Sequence, residues 1–567
     1  MSNNTDTSTI YDIKITGGTI VDGSGKPGYR GDVAIKDGKV VALGQAPGTA
    51  ATTIDATDRM ITPGFVDIHT HYDAQVLWDR MLTISPWHGV TTVVLGNCGF
   101  GVAPTRPEHR DLIIGTLEKV EGMSPAALNA GLGADWPFET FPQYLDAIEK
   151  AGTAINVGVL IGHTPTRLYV MGEAATEREA TADEIEQMRK IVAEAMAAGA
   201  IGFATSKSAT HVGLKGRPVP SRVASYEEVR TLVSTLKGGK GMMQATAGKE
   251  LWFDEYEKLA EENDITISWT AMLAGMVSPD AHIKQQERTA ELIAKGRNIV
   301  PQVTPRPLCF EFQFKEPFPF ESLSVFKPVA AADAEGKKKY YADPEFRRLV
   351  KEKMASVRAS FRTSWESSVI SMCGRPEYEE RTVGEVAREL GVETIDLGFD
   401  LALATNLEAR FRMPVANADE TVVEDLLKDR NTVLGLSDAG AHASQLCDAC
   451  LPTYLLGRWV RDKKAIPFEE AIRMLTARPA DVFGIKDRGR LQVGKPADVV
   501  VIDPATVNAG GLERVYDQPA GQDRLIAQAF GVDAVIVNGV LLRQRDRDLL
   551  GAGDALPGQL LRRGVNA

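Results

Sequence analysis

Residues 64–73 read GFVDIHTHYD, an apolar run that ends in two histidines one residue apart. Successive side chains of an extended chain alternate between faces, so His69 and His71 share a face and can grip one ion. A near-continuous apolar lead-in marks a strand buried on both sides. Asp67, two residues before the first histidine, is the expected partner that orients it.

Beyond this strand, short β-rich runs alternate with helical stretches, the mark of parallel βα units. Eight such runs are present, at 61–69, 90–97, 155–163, 200–206, 241–246, 265–272, 299–304 and 432–438. Eight parallel strands close a barrel whose interior side chains can fill. The predicted fold class is therefore α/β, a (β/α)8 TIM-like barrel. Thr181 to Glu184 and Ser225 to Glu228 each spell a capping box at a helix start. Ile185, Met188 and Val192 follow the first at helical spacing, an apolar stripe for the outside of the barrel.

Residues 11–55 read as short strands reversed at Gly-Gly and Asp-Gly, and similar strands return at 497–504 and 534–544. The two distant sets are expected to pair in a small β-sandwich composed from N- and C-terminal segments. The expected boundaries are 1–60 and 485–567 for its two parts, the second with a C-terminal tail, and 61–484 for the barrel. The long excursion between strands seven and eight, at about 310–380, is expected to act as a lid.

A chain of 567 residues, 44% hydrophobic and 25% charged, has material for a barrel of about 250 residues with satellites. Its net charge of -12 argues against nucleic acid, whose phosphates are bound by lysine and arginine. No stretch has the length of a membrane span, and MSNNTDTSTIYDIKI has neither the basic nor the apolar part of a leader, so a cytoplasmic location is expected with no membrane partner. Five scattered cysteines do not make a disulfide framework. Cys447 and Cys450 form a CxxC without a second pair or a neighbouring histidine, read as two packed thiols. The expected partner is a small-molecule substrate, and a homo-oligomer is allowed for.

A second run, GLSDAGAH at 435–442, carries Asp438 to the end of strand eight, where active sites of this fold gather. A carboxylate there can ligate a metal and accept a proton from water. GxSxG, HExxH and P-loop motifs are absent.

These motifs, with HGVTTVVLGNCGFGVAP, GHTPTR, GAIGFATS and the tail TARPADVFGIKDRGRLQVGKPADVVVIDP, make the chain resemble the amidohydrolase superfamily, specifically the N-acyl-D-amino-acid deacylase (D-aminoacylase) family. The resemblance spans nearly the whole chain. It implies a metal-activated water that attacks an amide carbonyl while Asp438 carries the proton to the leaving amine. In that family a cysteine in the GNCG turn joins histidines on strands five and six to hold the tighter metal. Cys98 is present, but GMMQATAGKE and ITISWTAML carry no histidine, and no position from 212 to 281 supplies one. Trp269 falls near the second missing ligand.

This departure leaves His69, His71 and Asp438 as the metal set, with Cys98 a fourth ligand or an isolated thiol. The expected cofactor is Zn2+, one ion tightly bound, with a second conceivable. His163, His211, Arg222 and His442 are read as substrate-binding. Arg217 lies in the same loop as Arg222; both could pair with a substrate carboxylate, solvated loop charges being the other reading, and a carboxylated Lys207 is read as remote. The function expected is hydrolysis of a linear C–N bond, deacylation of an N-acyl (D-)amino acid or related compound. The alternatives are another amide, carbamate or lactone on the same scaffold, or a catalytically degenerate binding barrel.

Overall fold

The segment 61–69, expected as one strand, serves two sheets. In the computed structural model, which describes residues 10–566 apart from 276, 277, 279, 322, 357 and 358, Met60–Pro63 pairs with Val499–Ile502 while Phe65–Asp67 opens the barrel. The first nine residues, part of the stretch read as leaderless, lie outside the described residues. Gly64 makes the step between the sheets. Its N–H donates to the Asp498 carbonyl at 2.9 Å, and a Cβ there would stand 2.0 Å from Thr91 Oγ1. Only glycine allows so close an approach.

Eight parallel strands follow one another round the barrel: Phe65–Asp67, Val90–Leu95, Asn156–Gly162, Gly202–Ser206, Met242–Thr246, Ile267–Thr270, Ile299–Val303 and Val433–Leu434. They are numbered one to eight below. Each expected run contains one of them. The sheet closes where Thr70 bridges Ala439 in parallel, with His71 N–H donating to the Ala439 carbonyl at 2.7 Å.

Alternation along the strands separates two cores. Val94, Leu160, Ala204, Met242, Val300 and Val433 pack together inside, joined by Phe483, Ile485 and Leu561. Their neighbours in sequence, such as Phe203 and Met243, pack outward against the helices. Leu561 comes from the chain's end, where Leu560–Leu561 pairs with the first half of strand three. Helix Ala182–Ala198 has its full capping box and buries Met188 and Val192. The other expected box is half formed: Ser225 Oγ accepts from the Glu228 N–H, but the Glu228 carboxylate turns into the protein.

Strands from both ends of the chain build the nine-stranded sheet of the β-sandwich domain. Ile10–Ile20 lies beside Tyr29–Lys36, Thr49–Asp55 and Met60–Pro63, and Val499–Ile502 joins Met60–Pro63 to Val532–Val537. A hairpin, Asn508–Gln518 with Gln522–Phe530, leaves this domain and lies against the loop after strand eight, where Leu525 N–H donates to the Ala443 carbonyl at 2.6 Å.

The excursion after strand seven is longer than its sequence boundary. It opens with strand Leu308–Gln313, which pairs antiparallel with Arg410–Ala416, and Val369–Met372 lies on the far side of the latter. Phe312, Phe314, Phe320, Trp365, Phe399 and Phe411 fill a core of its own. Its first strand touches the loop after strand eight, Glu311 N–H donating to the Gln445 carbonyl at 2.8 Å.

Because Thr91 occupies the space beside Gly64, Gly64→Ala should destabilise the protein by about 1–3 kcal/mol through overpacking. Thermal unfolding of this variant beside Gly511→Ala, where the added Cβ meets no atom within 4 Å, measures it. Equal midpoints would show that the sheet junction relaxes without cost.

Candidate metal and active site

His69 and His71 lie just past strand one, with ring centroids 5.3 Å apart and both buried. The pair is oriented from behind. His69 Nδ1 lies 2.7 Å from Gln302 Oε1 on strand seven, so Nδ1 carries the proton and Nε2 is left as a donor atom. His71 Nδ1 lies 3.5 Å from Glu121 Oε2, which orients the second ring in the same sense.

Both Nε2 atoms face Asp438 Oδ1, at 3.4 Å from His69 and 3.9 Å from His71. That oxygen is buried and receives no hydrogen bond. Cys98 Sγ is 3.5 Å from His69 Nε2, and His69, His71 and Cys98 offer donor atoms within 4.8 Å of one another. The GNCG turn achieves this by holding Cys98 in the left-handed region, at φ 55°, while its N–H donates to Gln244 Oε1 at 2.7 Å. In a tetrahedral zinc site, neighbouring nitrogen, oxygen and sulfur ligands stand about 3.3–3.7 Å apart. His69 Nε2 is at that spacing from both Asp438 Oδ1 and Cys98 Sγ, and His71 Nε2 stands a little wider from Asp438 Oδ1, at 3.9 Å.

The electrostatics also call for a cation. Burial alone pushes the Asp438 carboxyl up to about 7. Glu121 is pushed well above the usual carboxylate range by burial and by the charges of Asp438 and Asp73. Asp67 is raised to about 7 by burial, against the bond it accepts from the His69 N–H at 3.2 Å. No lysine or arginine pairs with any of these three among the described residues. Burial also lowers His69 to about 4 and His71 well below the ordinary value, so both rings are neutral ligands at neutral pH. Acids without a counter-charge beside neutral imidazoles and a thiol are a donor set that a divalent ion satisfies.

Residues 52–306 and 342–542 match the amidohydrolase family, more than half of the chain. The chain belongs to that family. The stretch left out, 307–341, is the first part of the insertion. D-aminoacylase of Alcaligenes xylosoxydans xylosoxydans is 29% identical over 540 residues, 93% of this chain and 94% of the relative. N-acyl-D-aspartate deacylase of the same organism is 29% identical over 575 residues, 98% and 99% of the two chains. Among solved structures, a D-aminoacylase whose binuclear metal centre shows one-metal activation and second-metal attenuation superposes with a TM-score of 0.66 at 24% identity, over 98% of this chain and 100% of that one. An N-acyl-D-glutamate deacylase from Bordetella bronchiseptica, complexed with zinc and a phosphonate inhibitor, gives 0.65 at 24% identity with the same coverage.

In this amidohydrolase the ends of strands five and six are occupied by neutral groups. Thr246 and Thr270 stand there with their hydroxyls 3.1 Å apart, and Gln244, which accepts the Cys98 N–H, donates through Nε2 to Thr270 Oγ1 at 3.2 Å. The hydroxyls and the amide satisfy one another. Trp269 takes no part: its ring points outward and packs on Trp252 at 4.9 Å and Phe253 at 5.6 Å.

The residues read as substrate-binding separate. His211 and His442 stay at the site. His211 Nδ1 lies 2.7 Å from Ser206 Oγ, with its ring against Phe100. His442 has a buried, unpartnered Nδ1 and an edge contact to Phe310 of the insertion at 5.4 Å. Arg222 donates to the His211 carbonyl at 3.0 Å and so holds the loop on which that ring sits.

His163 is not available to substrate. It begins helix His163–Met171, fully buried, with Nδ1 on Thr205 Oγ1 at 2.7 Å and Nε2 on Glu228 Oε1 at 2.8 Å, while Arg167 takes the other Glu228 oxygen. The carboxylate expected as a helix cap has instead become the centre of a buried ion pair. Lys207 Nζ donates to the carbonyls of Arg222 and Ala224, away from the metal donors. Arg217 pairs with Glu177 on the surface.

Glu121 was not legible as a site residue, although it falls in register with Ile113 and Leu117 on the buried stripe of helix Arg110–Glu121. A carboxylate in an apolar stripe was the signal. Glu121→Gln and Gln302→Leu should each weaken metal binding about 10–100-fold, read by competition with a chelator. Unchanged affinity in both would remove their orienting role. His163→Ala should instead cost roughly 3 kcal/mol of stability by stranding Glu228, with metal affinity unchanged. Loss of metal without loss of stability would return His163 to the site.

Proposed function

We propose that this amidohydrolase is a deacylase of N-acyl-amino acids of D configuration, working with one tightly held zinc-class ion. The observation that carries the reading is the buried, unpartnered Asp438 Oδ1 beside His69, His71 and Cys98. Relatives that act on N-acyl-D-amino acids cover nearly the whole chain. His69, His71, Asp438 and Cys98 would hold the ion. Such an ion lowers the pKa of water towards about 7 and polarises the amide carbonyl.

The chain's own groups do the rest. Asp438, held at the end of strand eight, accepts the proton of the attacking water on the carboxylate oxygen that does not face the histidines and delivers it to the nitrogen of the leaving amine. Its environment suits both halves of that task, since burial lifts the carboxyl towards neutrality and a neighbouring cation draws it back. Ser437 Oγ donates to the His69 carbonyl at 3.0 Å and so keeps the strand ends in register during the transfer. Phe310 and Phe318 of the insertion, 6.2 Å apart, form an apolar wall beside His442. On this reading the insertion serves as a lid, excluding water and selecting the acyl group or side chain. Thr246, Thr270 and Gln244, neutral and bonded to one another, support a single ion rather than a pair.

A binding barrel without catalysis is the competing reading, motivated by the missing histidines of strands five and six. The decisive experiment loads purified protein with zinc, counts the metal, and offers matched N-acetyl-D- and N-acetyl-L-amino acids while free amine is measured. One ion per chain and amine release confined to the D series is the expected outcome. Asp438→Asn should then lower kcat about 10²–10⁴-fold. Metal bound with no amine released from either series would overturn the deacylase reading, and two ions at full occupancy would overturn the single site.

A further inference from the structure

The CxxC at 447–450 lies outside the metal site, and its surroundings are not those of two idle thiols. Cys447 and Cys450 are both buried and unbridged, and Cys450 Sγ lies 3.2 Å from the Cys447 carbonyl. Arg306, which leaves the end of strand seven, donates through Nη1 to Cys450 Sγ and to the Cys447 carbonyl at 3.0 Å. Its other neighbours are Asp448 Oδ1 at 3.3 Å and the face of Tyr454 at 5.1 Å. A guanidinium has no acceptor of its own, so Cys450 sulfur accepts in this contact, while as a thiol it donates to the Cys447 carbonyl at 3.2 Å; the neighbouring cation favours loss of that proton.

Cys447 is the more accessible of the two. It lines a narrow cavity of about 30 Å³, with Asp438, Gly440 and Arg524 among the other walls. That volume is about the share of one water molecule in the liquid, so a species as small as hydrogen peroxide fits where a bulky disulfide does not. The same loop carries Asp438 at its start and the CxxC at its end.

We propose that Cys447 and Cys450 form a reversible oxidation site for hydrogen peroxide, in which Arg306 activates the sulfur that closes the bridge. Cys447 sulfur takes an oxygen from the peroxide, becoming a sulfenic acid and releasing water. Cys450 sulfur then attacks the Cys447 sulfur, the S–O bond breaks, and the two thiol protons and the peroxide's own hydrogens and oxygens end in two molecules of water. The peroxide is reduced by two electrons and the dithiol is oxidised by two. The two residues are three apart in one turn, with Cys450 Sγ already 3.2 Å from the Cys447 carbonyl, so bridging calls for local rearrangement rather than a new chain path. A dithiol reductant reverses the reaction.

The test treats the zinc-loaded full chain with rising hydrogen peroxide, blocks remaining thiols with iodoacetamide after denaturation, and maps the peptides by mass. The expected result is that the peptide holding 447 and 450 becomes unreactive and two hydrogens lighter, restored by dithiothreitol, at about tenfold less peroxide than alters Cys309 or Cys373. Cys450→Ser should abolish the bridge and leave Cys447 in single oxidised forms. Arg306→Lys should slow bridging about tenfold at equal peroxide. Alkylation of both thiols at doses that oxidise Cys373 would overturn the site whether or not the variants fold. Wild-type bridging in a folded Arg306→Lys protein would overturn the part given to Arg306.

Discussion

The closure between strand one and strand eight is the contact on which the rest of the structure depends. Thr70 bridges Ala439, and on either side His71 N–H reaches the Ala439 carbonyl while Ser437 Oγ reaches the His69 carbonyl. These few bonds join the sheet into a barrel and, in the same step, bring Asp438 opposite both histidines. Barrel closure and assembly of the donor set are one event. The loop beyond needs support of its own, because the strand that delivers it is only two residues long. That support arrives from three directions: Glu121 through its carbonyl to the His442 N–H, Glu311 of the insertion to Gln445, and Leu525 of the C-terminal hairpin to Ala443.

Burial sets the chemistry of the site. In water, Asp438 and Glu121 would be ordinary carboxylates and His69 and His71 would be partly protonated. Enclosed together without lysine or arginine, they are strained toward neutral forms, and a divalent ion relieves that strain at a stroke. The same enclosure without such a partner is expensive elsewhere in the molecule and is managed differently. Around Glu228, His163 and Arg167 supply hydrogen bonds to both oxygens, which hold its carboxyl below the usual range against the opposing effect of burial. One buried acid is thus neutralised by the protein itself, and the other group is left for a ligand.

Much of this was readable from the chain. The eight barrel strands were legible because each is a short apolar run between helical stretches, and His69, His71 and Asp438 because they end such runs. The split of 61–69 into two strands was not, since Gly64 interrupts no pattern of hydropathy and its role depends on Thr91, which approaches only in three dimensions. His163 was read as substrate-binding because its strand does end there, yet the chain turns at once into a helix and carries the ring to Glu228 instead. Sequence spacing could not anticipate that the Glu228 carboxylate would leave its cap. The absence of histidines on strands five and six was plain, while the groups in their place, Thr246 and Thr270, are too common to attract notice until Cys98 is seen against them.

The interlocking of the two chain ends bears on how the protein is made. Met60–Pro63 finds its partner in Val499–Ile502, more than four hundred residues later. At typical elongation rates of about 5–20 residues per second, that partner is missing for roughly 20–90 s after the first strands leave the ribosome. Throughout that interval the N-terminal strands expose an unpaired edge and half of a hydrophobic core, which invites pairing with the wrong neighbour. A chain that terminates early forfeits the sandwich and the hairpin that steadies the loop after strand eight, so quality control of synthesis and integrity of the metal site are tied to the same final seventy or so residues.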